Sequence, residues 1–264
     1  MSKLVEKLER ISEGGGQPLG FGAAVTRAKT AQMLVIAGVP VTGAELATNA
    51  TKGGADALLV TVENLEKERK ALSRIGHAKL DLPWGVNLET ATRKEVEELV
   101  EMGCDFVIFG PAKTPATVLM EEKIGKILKI DTSLTEGLTR TINRLQIDAV
   151  LISPAESDEP SLTVYQLMLY ERIAGGTGKH LLATLPSASS SEDIECLWGL
   201  GVRGVVFDMS VEQPEQRLSE LKEAIRKLPA KRKKSSEKIR ATLPFPSAPP
   251  EKVEHEEEEE EEEP

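Results

Sequence analysis

Apolar runs long enough to cross a bilayer are missing from this chain of 264 residues. None approaches the roughly 20 positions that a spanning helix needs, which excludes a membrane protein of that kind. Cysteine is nearly absent. Cys104 and Cys196 each stand beside an apolar run, and two in so long a chain read as free buried thiols rather than a disulfide. A secretory h-region is missing too: MSKLVEKLERISE sets Leu4, Val5, Leu8 and Ile11 at helical spacing among charges, an amphipathic helix, so the expected compartment is the cytoplasm. The glycine-rich GGGQPLGFG that follows has no strand before it and no Gly-Lys-Ser/Thr after it, so it is not a phosphate loop.

The net charge of -10 is unevenly spread. Residues 251–264 carry -9 and residues 231–250 carry +5, which leaves -6 on the first 230. A mildly acidic body offers no electrostatic footprint for nucleic acid. The tail at 231–264 is basic, then Pro-rich, then poly-Glu, with too little apolar surface to offset its ordering entropy, so disorder is expected there. Its opening Lys231-Arg232-Lys233-Lys234 reads as a solvated charge run.

Short apolar runs at 33–37, 57–62, 84–88, 106–109, 127–130, 149–152, 181–185 and 204–207 alternate with segments of helical periodicity, such as 94–101 and 192–198. Eight such units predict a (β/α)8 TIM barrel at 23–230, preceded by an N-terminal helix and approach segment at 1–22. A doubly wound open sheet is the alternative. An internal echo favours the barrel: Gly54-Ala55-Asp56, Gly103-Cys104-Asp105 and Gly201-Val202-Arg203 recur at offsets of 49 and 98, each before an apolar run, with Ile147-Asp148 a shorter copy. The period is two βα units, so the repeat marks the even-numbered strands.

Ligands of such folds sit at the carboxyl edge of the strands. The residues there are Gly38 and Pro40; Glu63 and Asn64; Asn87 and Glu89; Gly110, Pro111 and Lys113; Asp131 and Ser133; Ser153 and Glu156; Ser187, Ser189 and Ser190; Asp208 and Ser210. None is a histidine. His77 lies in a helix-to-strand turn, His180 precedes strand seven at the opposite face and His255 is in the tail, so a histidine base and a Ser or Cys nucleophile are both unsupported. Asp131 and Glu156 follow neighbouring strands, where they can share a divalent cation, Mg or Mn, or else cap helices. The serine-rich loop at 186–193 can grip a phosphate or simply cap the helix after it.

From about residue 33 to residue 210 the chain resembles the HpcH/HpaI aldolases, the metal-dependent pyruvate aldolases related to the citrate lyase β subunit. The likeness is carried by Thr61-Val62-Glu63-Asn64, Gly110-Pro111-Ala112-Lys113-Thr114, Ile130-Asp131-Thr132 and Asp148-Ala149-Val150-Leu151-Ile152-Ser153-Pro154-Ala155-Glu156. The resemblance implies that Asp131 and Glu156 hold the metal, with Glu and Asp exchanged. The family's histidine base falls on Asn64, its supporting acid on Thr61 and its enolate-neutralising arginine on Asn87, and an amide replaces neither base nor guanidinium. Glu63 or Glu89 is then left to take a proton and Lys113 to offset charge, while Asn64, Asn87, Ser153, the Ala155 backbone, Ser187 and Ser189 are placed to bind substrate. The function implied is a carbon-carbon lyase, or a diverged descendant of one, acting on a small keto acid or other carboxylate, with a homo-oligomer left open. Two alternatives stand beside it: a non-catalytic barrel kept for assembly or partner binding, and a barrel enzyme that takes a phosphorylated small molecule at the strand-seven loop. A filled barrel mouth would favour the scaffold.

Overall fold

The computed structural model describes residues 2–13, 31–77, 81–153 and 161–229. The glycine-rich approach segment, Ala155, Glu156 and the tail from 231 lie outside the described residues. After α1 (Lys3–Ser12) come β1 (Leu34–Pro40), α2 (Ala44–Lys52), β2 (Ala57–Thr61), α3 (Leu65–His77), β3 (Trp84–Leu88), α4 (Arg93–Glu101) and β4 (Phe106–Phe109). Then follow β5 (Gly125–Ile130), α5 (Glu136–Thr141), β6 (Ala149–Ile152), α6 (Val164–Gly176), β7 (His180–Thr184), α7 (Ser191–Gly199), β8 (Val202–Asp208) and α8 (Pro214–Lys227). The strands pair in chain order, all parallel, and β8 closes onto β1, so the fold is the (β/α)8 barrel and not the open sheet. One unit departs from the expected eight helices: between β4 and β5 stands only a short 3-10 helix, Ala116–Met120. Pro111 and Pro115 restrict the backbone there, and Thr117 and Val118 are poor helix formers. Among the described residues no helix is long and apolar enough to cross a membrane.

The repeat has a structural cause. Gly54, Gly103 and Gly201 take φ of 79°, 82° and 95°, a left-handed turn that ends α2, α4 and α7 and that a Cβ would strain. Aspartates just before β2, β4 and β6 then tie these strands to the odd strand before each, while Arg203 holds the corresponding place in β8. The Asp56 amide donates to the Val35 carbonyl and its Oδ2 accepts from the Val35 N–H at 2.8 Å. Asp148 makes the same pair of bonds with Lys126, the side-chain one at 2.7 Å. The Asp105 amide donates likewise to the Trp84 carbonyl, but its carboxylate turns to the amino end of α1.

Side chains alternate along each strand, and two apolar layers result. One lies between strands and helices. The other fills the barrel itself with Leu34, Ile36, Ala57, Leu59, Phe106, Ile108, Ile127, Ala149, Leu151, Leu182 and Val206, and it includes Leu4 and Leu8 of α1. Both leucines are 0% exposed, so α1 plugs the amino end of the barrel. Burying them is worth about 1.5–3 kcal/mol each. With that end closed by a helix, the carboxyl edge of the strands is the end left for a ligand, as in other barrels of this kind.

Candidate active site at the barrel mouth

Paired residues run from Leu34 through Gly204, Leu182 and Leu151 to Lys129. In a tilted eight-stranded barrel such a line climbs about one residue per strand, so alternate strands contribute side chains at one height. Leu59, Ile108, Leu151 and Val206 form one such layer, all buried. The layer directly above them comes from the odd strands: Gly38, Asn87, Lys129 and Thr184, every one half-buried. Thr61, Gly110, Ser153 and Asp208 form the rim above that. An apolar floor thus carries a small polar ring with one cation in it.

Lys129 belongs inside because Ile127, two positions earlier, is in the barrel cluster, whereas Leu128 and Ile130 face the helices. Among the described residues no hydrogen bond or ion pair reaches its ammonium. Across the barrel from it stands Gly38. An added Cβ there would make ordinary contacts, 3.4 Å to the Phe207 carbonyl oxygen and 3.6 Å to Val206 Cγ1, so neither crowding nor backbone strain requires glycine. Its effect is that β1 contributes no side chain at this height of the inner face. The other lysine of β5, Lys126, points outward, is buried and donates to the carbonyls of Leu119 at 3.1 Å and Glu121 at 2.5 Å, which satisfies it.

The residues expected from the sequence are placed differently from one another. Asn87 lies in the polar ring and Ser153 on the rim above it. Asn64 is a helix cap, its Oδ1 accepting the Lys67 N–H at 3.1 Å at the start of α3. Glu89 and Lys113 pair with each other at 3.3 Å in solvent, with side chains 85% and 72% exposed, and Glu63 is exposed as well. Asp131 Oδ1 accepts both the hydroxyl and the N–H of Ser133, and these bonds hold its carboxyl below the usual range. Its expected partner Glu156 lies outside the described residues, and among the described residues no group of three His, Cys, Asp or Glu side chains gathers for a metal. Cys104 donates to the Phe106 carbonyl at 3.2 Å, and burial pushes its thiol far up, so it is an inert core group. Cys196, expected buried, is exposed and free.

At the strand-seven loop, Ser190 accepts from the Asp193 N–H while Asp193 accepts from the Ser190 N–H, a capping box that closes the amino end of α7 with a carboxylate. The Ser189 hydroxyl donates to Pro186 at 2.9 Å and the Ser187 carbonyl accepts from Arg217 at 2.6 Å. A groove of about 640 Å³ runs from this loop along α8, on the outside of the barrel. On the first turns of α6, the end nearer the carboxyl edge of the strands, Val164, Tyr165 and Met168 are 75%, 69% and 65% exposed, an apolar stripe.

Sequence reasoning listed Gly38 at the carboxyl edge but missed Lys129 and Thr184. The signal was present in the alternation of GKILKI: counting back from buried Ile130 puts Lys129 on the inner face.

No protein-family model matches the chain, and no curated protein matches it. Solved structures do. A tryptophan synthase from Mycobacterium tuberculosis is 12% identical, with a TM-score of 0.59 over 85% of this chain and 98% of that one. A tryptophan synthase α-subunit mutant from Pyrococcus furiosus is 12% identical, with a TM-score of 0.57 over 71% of this chain and 97% of that one. A structure from Aquifex aeolicus VF5 is 14% identical, with a TM-score of 0.59 over 85% and 99%. At such identities the likeness shows the barrel fold alone. It overturns the expected membership among the HpcH/HpaI aldolases, because the tryptophan synthase barrels it matches are a different group. The local likenesses that suggested the aldolases, short apolar strands ending in an acid or a proline, are what parallel barrel strands share.

Proposed function

We propose that this chain is a barrel enzyme that binds a small keto acid at its mouth, with Lys129 as the group that receives it. The observation that carries this reading is Lys129 itself: a half-buried cation on the inner face of β5, over an apolar floor and with no bonding partner among the described residues. Keeping an ammonium partly out of water is costly unless an anion or carbonyl meets it. A small carboxylate supplies that anion, and Asn87 and Thr184 at the same height supply an amide and a hydroxyl to orient it. A larger substrate is disfavoured by the width of an eight-stranded barrel, whose interior side chains nearly fill it.

The scaffold reading expects a filled mouth, and glycine at position 38 speaks against that. Its own support is the exposed apolar stripe on the first turns of α6. The keto-acid reading asks nothing of Glu63, Glu89 or Lys113.

Calorimetric titration with pyruvate tests it. Saturable binding is expected for the full chain and for Lys94→Met, a change at an exposed site on α4, with Lys129→Met weakening it about tenfold or more, the scale of one charged hydrogen bond. No binding, or equal binding by Lys129→Met, contradicts the reading.

A further inference from the structure

We infer that the first turns of α6 are the contact between two copies of this chain, packed about a two-fold axis at Met168. The inference is independent of what binds at the mouth.

The outer helices differ in charge. α3, α4 and α8 carry six, six and seven Asp, Glu, Lys or Arg side chains, as helices that face water do. α6 carries two, Glu171 and Arg172, and the seven residues from Val164 to Tyr170 carry none. One side of α6 packs inward through Gln166, Tyr170 and Ile173, all buried. The other side opens with Val164, Tyr165 and Met168, each about two-thirds exposed or more. A helix that is apolar on both sides is one covered on both sides. Beside it packs α5, which is only 6 residues long against 13 for α6 and adds Leu138, 54% exposed.

The surface available fits a second copy. A standard interface covers about 800 Å² per partner, a little over half of it apolar. Val164, Tyr165, Met168 and Leu138 together offer on the order of 400 Å², close to that apolar share. The pattern is also compatible with itself, as a two-fold contact between identical patches must be. Val164, Met168 and Arg172 are spaced four apart and form one ridge, the kind that packs against a like ridge at about -50°. Two such ridges crossed at Met168 bring the two Met168 side chains together, with Val164 and Tyr165 of each copy around them. One turn further on, Glu171 and Arg172 are exposed and fall at the margin, where interfaces are polar. Being of opposite sign, they set up no net repulsion between copies.

Sedimentation velocity of the full-length chain over a range of concentrations tests the inference. The expected result is a shift from one chain to two, half complete on the order of 10 μM, the strength of a small interface. Met168→Glu sets two carboxylates against each other at the axis and should weaken association about tenfold or more. Met168 is exposed, so this variant should melt within about 2 °C of wild type. Met120→Glu, at an apolar residue 63% exposed on the 3-10 turn, should associate as wild type does. Mild oxidation then locates the axis: with the exposed Cys196 removed as Cys196→Ser, Met168→Cys should cross-link to its mate and Met120→Cys should not. A chain that stays single at every concentration, whatever else the stripe binds, overturns the inference. So does a dimer that Met168→Glu leaves intact, or one that Met120→Glu weakens equally.

Discussion

Asp105 accepts the hydroxyl of Ser2 at 2.8 Å, across 103 positions of chain. The same carboxylate accepts the N–H groups of Lys3 at 2.7 Å and Leu4 at 2.9 Å, while Ser2 Oγ accepts the Val5 N–H at 3.3 Å. These are the amides that a helix leaves unpaired in its first turn, and a negative charge is favourable there. One acid before β4 therefore fixes the helix that plugs the barrel. Asp105→Ala should cost roughly 2–3 kcal/mol, read by thermal or urea unfolding. An unchanged melt would mean that the plug adds nothing to stability.

The other end of α1 carries a pH dependence. Ser12 Oγ and His180 Nδ1 lie 3.1 Å apart. Burial is the main cause that lowers the His180 pKa, with Arg203 and Lys179 acting in the same sense and Glu9 and Asp148 against it. The unfolded chain takes up this proton near about pH 6.5, before the folded chain does. The contribution to stability is thus present above that pH and lost as pH falls through the folded value. Between pH 7.5 and 5.5 the wild type should lose more stability than His180→Gln. Parallel losses would contradict this.

Tyr170 on α6 is 1% exposed, and its hydroxyl has no hydrogen-bond partner among the described residues. Burial pushes its pKa up to about 12, so the group stays protonated and unsatisfied. Leaving such a group unpaired costs about 1–3 kcal/mol. Tyr170→Phe should hold stability level or raise it by about 1 kcal/mol. A clear loss in chemical denaturation would reveal a bonding partner.

The barrel was legible because its signals are local. Apolar runs bounded by turns mark the strands, and the repeated glycines mark the left-handed turns before the even ones. An added Cβ at Gly103 meets nothing within 4 Å, so Gly103→Ala should lose about 1 kcal/mol from backbone strain alone, with no clash to relieve. A neutral result in urea melts would show that φ of 82° is not held there. What was not legible depends on partners distant in sequence: that Asp105 serves α1, or that the prolines after β4 leave only a 3-10 turn.

The site was half legible for a related reason. Listing residues beyond each strand end found Asn87, Ser153 and Asp131, yet it also gathered Asn64, Glu89 and Lys113, which cap a helix or pair in solvent. The inner ring is set by parity and barrel stagger, not by position after a strand. Lys129 sits one residue before its strand ends, where an inventory of loops passes over it.

The most direct measurement of the central claim is methyl NMR of the full chain titrated with pyruvate. Resonances of Leu59, Ile108, Leu151 and Val206, the floor beneath Lys129, should shift and saturate together, while those of Leu4 and Leu8 in the plug stay in place. Shifts confined to Ala188 and Ala224 along the outer groove, or none anywhere, would contradict a site at the barrel mouth.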